Sequence, residues 1–157
     1  MHDAYSNIVV KRILAQDLHL DPDDPTPWIF DYDRDNYTMR ALYKLDSVSM
    51  LSVRRMYMPG TSVECYQVIA YIPVNKRSSS VYFPLVPSDY IYDFVNSVIY
   101  ICEHEMRRVG TIDDQIFTRC GFPRGDQTMN FKLRLKRVVN RYQAQYGYQM
   151  RYPQFPH

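Results

Sequence analysis

The chain has 157 residues, of which 46% are hydrophobic and 23% are charged, with a formal net charge of +2. This length and composition are typical of one globular domain whose core needs neither disulfide bonds nor a structural metal. Fifteen tyrosines and eight methionines stand against only five glycines. Because a tyrosine buries its ring and keeps a polar tip, this enrichment favours a surface that binds partners.

Charge is distributed unevenly along the chain. Residues 1–50 contain nine acidic and five basic residues, a balance of −4, whereas residues 107–157 contain ten basic and three acidic residues, a balance of +7. The two ends therefore either attract each other within the fold or attract different partners.

The cysteines Cys65, Cys102 and Cys120 are odd in number and include no Cys-x-x-Cys pair. This pattern argues against a disulfide framework or a zinc site and indicates a reducing compartment. No apolar run approaches the length of a membrane span, and the N-terminus has no signal-peptide core. We therefore expect a cytoplasmic or nuclear protein without integral membrane association.

The first predicted element is a helix at residues 7–20, although the apolar run at 8–10 is also compatible with a strand. One side of that helix would carry Ile8, Val9, Ile13, Leu14 and Leu18. Residues 21–27, DPDDPTP, form an acidic, proline-rich connector that no regular element can cross. The three large apolar residues at 28–30 are expected to anchor in the core.

Alternating acids follow at Asp31, Asp33 and Asp35 and invite comparison with a calcium loop. An EF-hand loop counted from Asp31 needs glycine at its sixth position and glutamate at its twelfth, but Asn36 and Leu42 stand there. We therefore interpret this segment as a solvated acidic turn.

Residues 37–87 are typical of β-strands, because segments rich in tyrosine, valine and isoleucine alternate with turn sequences. Such short connections predict an antiparallel meander. The segment at 62–74 is apolar on both sides from Val68 onward. It is therefore either a central strand covered on both faces, or a strand covered on one face and lying against a partner on the other. Pro84 and Pro87 limit the last strand to an edge or to a short length.

The strongest helix pattern covers residues 89–109. Apolar residues spaced by three and four define its buried face: Ile91, Phe94, Val95, Val98, Ile99, Cys102 and Met106. Ser88 is the predicted N-cap and Gly110 the predicted stop, while Arg107 and Arg108 suit the negative end of the helix dipole. We expect the sheet and the C-terminal helices to pack against this helix.

A short helix is predicted next, beginning with a capping box formed by Thr111 and Asp114. Its apolar face would consist of Ile112, Ile116 and Phe117. A third helix is predicted from about Asp126 to Tyr146, and residues 147–157 are expected to form an extended aromatic tail. The residues of the third helix expected to face inward are Leu135, Val138, Val139 and Tyr142.

The other sides of the third helix are strongly basic, with Lys132, Arg134, Lys136, Arg137 and Arg141. A short helix, a glycine-containing turn and a basic helix have the layout of a helix-turn-helix, whose second helix enters the major groove. Binding of RNA or DNA is therefore one prediction for this helix, and binding of an acidic protein partner is the other. Bound unpaired bases would stack on Tyr142, Tyr146 and Tyr148.

The sequence predicts no catalytic residue, no cofactor site and no metal site. It contains neither a nucleophile-elbow motif nor a phosphate-binding glycine loop. His104 lies between Glu103 and Glu105 without a second histidine at helical spacing, so we expect a surface histidine. An enzyme without a motif is a further alternative, and it would join the acidic turn at 31–35 to His104 or Arg119 in one pocket.

The order of strands followed by helices predicts an α+β fold. Its antiparallel meander of three to five strands would run from Tyr37 to Val86, packed by the helix at 89–109 with two further C-terminal helices. For function, the sequence favours a non-enzymatic structural or interaction protein, of the kind found among small viral proteins and adaptor domains. It would self-associate or dock a protein partner through a Tyr/Met-rich surface.

Overall fold

A computed structural model describes residues 4–75, 77–123 and 130–146 of the chain. Its elements are α1 (Ala4–Asp17), β1 (Ile29–Asp33), β2 (Thr38–Lys44), β3 (Met50–Tyr57), β4 (Glu64–Tyr71), β5 (Ser80–Tyr82), β6 (Val86–Pro87), α2 (Ile91–Val109), α3 (Ile116–Cys120) and α4 (Phe131–Tyr146). A 3-10 turn at Ser88–Tyr90 leads directly into α2. The fold is α+β, as predicted.

The strands form one antiparallel sheet in the order β1-β2-β3-β4-β5, and the two-residue β6 also pairs with β4. The predicted meander and the short strands at Pro84 and Pro87 are confirmed. The sheet begins earlier than predicted, because β1 pairs with β2 from Ile29 opposite Leu42 to Asp33 opposite Thr38.

Strand alternation and register give this sheet two distinct faces. On one face, which we call the helix side, Ala41, Val53 and Val68 form a fully buried cross-strand row. On the same side the hydroxyl of Tyr43 donates to Glu103 Oε1 of α2 at 2.8 Å, and the hydroxyl of Tyr66 donates to Asp17 of α1. Helices α1 and α2 therefore both lie on the helix side.

Helix α1 confirms the predicted helix but begins and ends three residues earlier. Leu14 and Leu18 are buried, whereas Ile8 is 51% exposed and Val9 is 38% exposed. The expected apolar face was therefore wrong at its N-terminal end, because only the C-terminal half of α1 reaches the core. Trp28 is buried as expected, but Ile29 is exposed because it points to the opposite face of the sheet.

Helix α2 lies at the centre of the fold, and its predicted apolar face is buried from Ile91 to Cys102. It ends as predicted at Gly110, which has a φ of 78° and donates its N–H to the Met106 carbonyl at 3.0 Å. The predicted cap was wrong. Ser88 lies in the 3-10 turn, and its hydroxyl donates to the Glu64 carbonyl at 3.5 Å instead of binding a first-turn amide.

Helices α2 and α4 run parallel to each other. The ring of Phe131 at the start of α4 lies 5.8 Å from that of Phe94 near the start of α2. Near the other end, the hydroxyl of Tyr142 donates to Glu105. The four inward residues predicted for this helix are buried. The helix begins at Phe131, and the predicted start at residues 126–129 and the tail at 147–157 lie outside the described residues.

The capping box predicted at Thr111 was wrong. Helix α3 begins at Ile116, after a turn in which Asp113 Oδ1 accepts the N–H of Gln115 at 2.9 Å. Asp114 is already used elsewhere, since Ser79 donates its hydroxyl to the Asp114 carboxylate at 2.8 Å. The predicted apolar face of α3 is nevertheless buried, because Ile112, Ile116 and Phe117 all enter the core.

Candidate interaction surface

The second face of the sheet, which we call the open face, carries the outward residues of β1 to β5. One cross-strand row on it is largely apolar and consists of Ile29, Leu42, Ser52, Ile69 and Tyr82. Its two ends are well exposed, since Ile29 is 64% exposed and Tyr82 is 68% exposed. Ser52, at the centre of the row, is buried between its neighbours.

Further Tyr and Met side chains extend this apolar row. Met50 and Tyr71 lie opposite each other in the next outward row, and both are exposed, while Met56 points outward at the other end of β3. The partly buried residues that pack against the core include Phe30, Met39, Tyr43 and Val81, all on the helix side. Leu42, Met56 and Ile69 are not among them, so the open face forms an apolar surface separate from the core.

A polar row crosses the open face beside the apolar one. Arg40 pairs with Asp31 at 2.7 Å, and Arg54 lies 3.5 Å from Asp33 and donates to Gln67 at 2.6 Å. A hydrogen bond from the Asn36 side chain holds the pKa of Asp33 below its usual value. The acids interpreted as a solvated turn thus include two strand residues that neutralise arginines on neighbouring strands.

Within the described part of the chain, no helix covers the open face. Both α1 and α2 contact the helix side, and α4 packs against α2 and α3. The described helices therefore do not cover the outward face of the strand at 62–74, and the alternative of a partner on that face stays a prediction. The sequence predicted no site among the apolar residues of the open face, although Asp31 and Asp33 belonged to the enzyme alternative. The only signal for this face was the apolar pattern of that strand on both sides.

The basic residues predicted to bind a nucleic acid or an acidic partner lie on α4, but not all on one face. Arg134, Arg137 and Arg141 are exposed and follow one another at intervals of three and four, so they form one stripe. Lys136 is partly buried beside the stripe. Lys132 lies at the start of the helix, 3.9 Å from the carboxylate of Asp93 on α2.

The two described tyrosines of that prediction are not free stacking platforms. Tyr142 is fully buried, so its ring cannot receive a base, and its prediction as a platform was wrong. The ring of Tyr146 is partly buried, with the guanidinium of Arg108 4.0 Å from its centroid. Tyr148 lies outside the described residues. Ten residues also separate α3 from α4, whereas the turn of a helix-turn-helix usually has three or four.

Tyr142 belongs to a buried polar cluster that the sequence did not predict. Its hydroxyl donates to Glu105, and Arg108 donates to both oxygens of that carboxylate at 3.1 and 3.0 Å. His104 Nδ1 lies 2.7 Å from the same hydroxyl oxygen. Because the hydroxyl proton points to Glu105, Nδ1 of the neutral histidine must carry the proton donated to Tyr142.

His104 is therefore not a surface histidine, and that prediction was wrong. The side chain is 5% exposed because α4 covers it, and burial lowers the pKa of His104 below its usual value. Burial also raises the pKa of Tyr142. Because hydrogen bonds link the four side chains, three from α2 and one from α4, the cluster joins α2 to α4.

The residues predicted for an enzyme site do not come together in this fold. Asp31 and Asp33 lie on the open face, whereas His104 is buried between α2 and α4 on the other side of the sheet. Arg119 pairs with Asp113 at 3.0 Å. A groove of about 420 Å³ between β5 and α3 is lined by apolar and hydroxyl-bearing residues: Val81, Tyr82, Phe83, Pro84, Phe117, Thr118, Phe122 and Pro123.

The described residues contain no group of three or more histidine, cysteine or acidic side chains that could hold a metal ion. No helix among them is long and apolar enough to cross a membrane. All three cysteines are buried and unpaired, and burial raises the pKa of Cys120 to about 11.

Comparison with known proteins gives no match to a family model, to a curated protein or to a solved structure.

Proposed function

We propose that this chain is a non-enzymatic interaction protein that associates, with itself or with a protein partner, through the open face of its sheet. The observation that supports the proposal is the apolar row from Ile29 to Tyr82, which no described helix covers. In an antiparallel sheet with one solvated face, the outward residues are usually polar. Here the outward positions of three adjacent strands carry Leu42, Met50 and Ile69.

The chemistry of the open face fits a protein interface. Tyr71 and Tyr82 offer rings with polar tips, and both tyrosine and methionine are enriched where protein surfaces meet. The charges nearby are already paired, because Arg40 binds Asp31 and Arg54 lies beside Asp33. Burying paired charges costs less than burying isolated ones, so a partner can cover this face without supplying a matching charge.

Native mass spectrometry of the purified full chain tests this proposal. We expect the chain to retain a stoichiometric polypeptide, either a further copy of itself or another protein, and we expect Ile69→Glu to lose it. The matched control is Leu133→Glu, which introduces the same charge at a 45% exposed position on α4. Retention by Ile69→Glu at the level of the unchanged chain would contradict the proposal.

A second candidate function is nucleic-acid binding by the stripe of Arg134, Arg137 and Arg141. The specific support is that all three are exposed and that, among the described residues, none of them forms an ion pair. If each contacts one phosphate of a duplex, the logarithm of the binding constant should fall with the logarithm of the salt concentration with a slope of about −2.7.

Fluorescence anisotropy with single-stranded and duplex oligonucleotides at low salt tests this second function. Changing the three arginines to glutamine should abolish both the binding and its salt dependence, whereas Arg12→Gln on α1 is the control for a change of net charge. Absence of binding by the unchanged chain to either probe would remove the second candidate and leave the first untouched.

A further inference from the structure

We infer that the occupant of the open face is a second copy of this chain. The two open faces pack against each other about a two-fold axis that lies between the sheets and runs parallel to β3. This inference rests on the proposed function and names its partner. It follows from the size of the face, from the positions of its side chains about the middle strand, and from the balance of its charges.

The open face is large enough for a dimer of modest affinity. Five strands spaced by about 4.8 Å, with a mean length of about six residues rising about 3.3 Å each, give a face of about 500 Å² per copy. Two such faces bury about 1,000 Å², which is the lower limit for a specific interface between proteins.

Strand β3 is the middle strand of the five, so an axis along it brings β1 over β5 and β2 over β4 of the second copy. Within the apolar row, Ile29 then faces Tyr82 of the second copy, and Leu42 faces Ile69. Ser52 lies on the axis, where its small side chain lets the sheets approach. On both sides of Ser52, apolar side chains thus meet apolar side chains.

The same axis matches the polar positions. Arg40 on β2 faces Gln67 on β4 of the second copy, so the guanidinium meets an amide that can accept a hydrogen bond. Lys44 faces Tyr71 of the second copy, which allows a cation–π contact. Of the charged residues of the open face, only Arg54 meets its own copy, and each Arg54 keeps its hydrogen bond to Gln67 and its pairing with Asp33.

The charges of the open face favour a second copy over a polyanion. The face carries three cations, Lys44, Arg40 and Arg54, and two carboxylates, Asp31 and Asp33, so it is nearly neutral. A nucleic acid would meet two carboxylates there and few free cations. A second copy meets a face whose charges are already balanced.

Sedimentation velocity of the purified full chain provides the first part of the test. We expect a reversible monomer–dimer equilibrium with a Kd in the micromolar range, as an interface of about this size allows. Leu42→Glu alone and Ile69→Lys alone should each weaken the dimer at least about 100-fold, because an unpaired charge enters the interface. The double variant should recover most of this loss, because each glutamate then faces a lysine of the other copy. Leu133→Glu is the control.

Crosslinking provides the second part and tests the axis. The natural cysteines are buried, so introduced thiols are the reactive ones. Met50→Cys, on the axis, should crosslink to itself through a short thiol-specific reagent. Tyr82→Cys should not, since two copies of Tyr82 would lie about 19 Å apart across the sheets. When the Ile29→Cys and Tyr82→Cys variants are mixed, the thiol of one variant should crosslink to the thiol of the other.

A dimer with these crosslinks and with recovery in the double variant supports the inference. Self-crosslinking of Tyr82→Cys, or a dimer that Leu42→Glu leaves intact, overturns it. A chain that stays monomeric up to hundreds of micromolar also overturns it, because an interface of about 1,000 Å² would populate the dimer at that concentration. If that monomer still retains another polypeptide in an Ile69-dependent manner, the proposed function stands. If it retains none, both fail.

Discussion

Replacing Tyr142 by phenylalanine should destabilise the fold although the ring stays in place. The hydroxyl donates to the Glu105 carboxylate and accepts the proton of His104 Nδ1. Without it, a buried carboxylate loses one of its donors and a buried imidazole N–H loses its acceptor. No water can replace the hydroxyl if the site keeps its packing, since Tyr142 is fully buried.

The size of this effect follows from the bonds that are lost and kept. Glu105 keeps two hydrogen bonds to Arg108, at 3.1 and 3.0 Å, so it is not left as an isolated charge. A hydrogen bond to a charged group contributes about 1.5 to 3 kcal/mol, and we expect Tyr142→Phe to lower the free energy of unfolding by about 2 kcal/mol. For a chain of this length that corresponds to a fall in Tm of about 4 to 8 °C.

Urea and thermal unfolding, followed by circular dichroism, measure this change. Tyr82→Phe, which removes a hydroxyl at a 68% exposed position, is the control and should alter the free energy of unfolding by less than about 0.5 kcal/mol. A double-mutant cycle with Glu105→Gln isolates the coupling between the two side chains. If Tyr142→Phe is as stable as the unchanged chain, the hydroxyl does not hold α4 to α2 and our account of the cluster is wrong.

Three further predictions concern pH, a helix end and the core. Burial lowers the pKa of His104 in the folded chain, so the unfolded chain binds that proton more readily and the free energy of unfolding should fall as pH drops below about 6.5. His104→Gln should flatten this dependence between pH 7 and 5, and an unchanged slope in that variant would contradict the prediction. Gly110→Ala should lower the free energy of unfolding by about 1 to 2 kcal/mol in urea titrations, and equal stability would refute this. The cost comes from the φ of 78° alone, since apart from its chain neighbours no residue lies within 4 Å of the added carbon. Leu51→Ala should cost about 2 to 5 kcal/mol by the same measurement, because Leu51 is fully buried on the helix side, and a loss below about 1 kcal/mol would show that the core closes over the space.

The sequence was sufficient to predict the elements whose signals are local. The apolar spacing from Ile91 to Cys102 predicted the buried face of α2, and Gly110 predicted its end. Short turns between strands predicted the meander. The N-cap predicted at Ser88 was wrong because the chain enters α2 through a 3-10 turn, and the serine hydroxyl then points to the Glu64 carbonyl of β4.

Features that depend on distant partners could not be predicted in the same way. His104 and Glu105 look like surface residues in their own helix, and it is Tyr142, 38 and 37 residues later, that buries and satisfies them. Strand β1 was hidden for a similar reason. Its outward acids are typical of a turn until Arg40 and Arg54 are known to lie beside them on the next two strands.

The outward residues of β4 have to be interpreted from both the sequence pattern and the position of the helices. Because Ile69 and Tyr71 point outward, the sequence of β4 is apolar on both sides. Such a strand is usually covered on its second face by another layer of the fold or by a partner. The helices of the described residues lie on the side of Tyr66, so they cannot provide that layer. An exposed apolar row lowers the solubility of a protein in water, whereas burial of the same row at an interface stabilises a complex. For this reason we propose the open face, and not the basic helix, as the interaction surface.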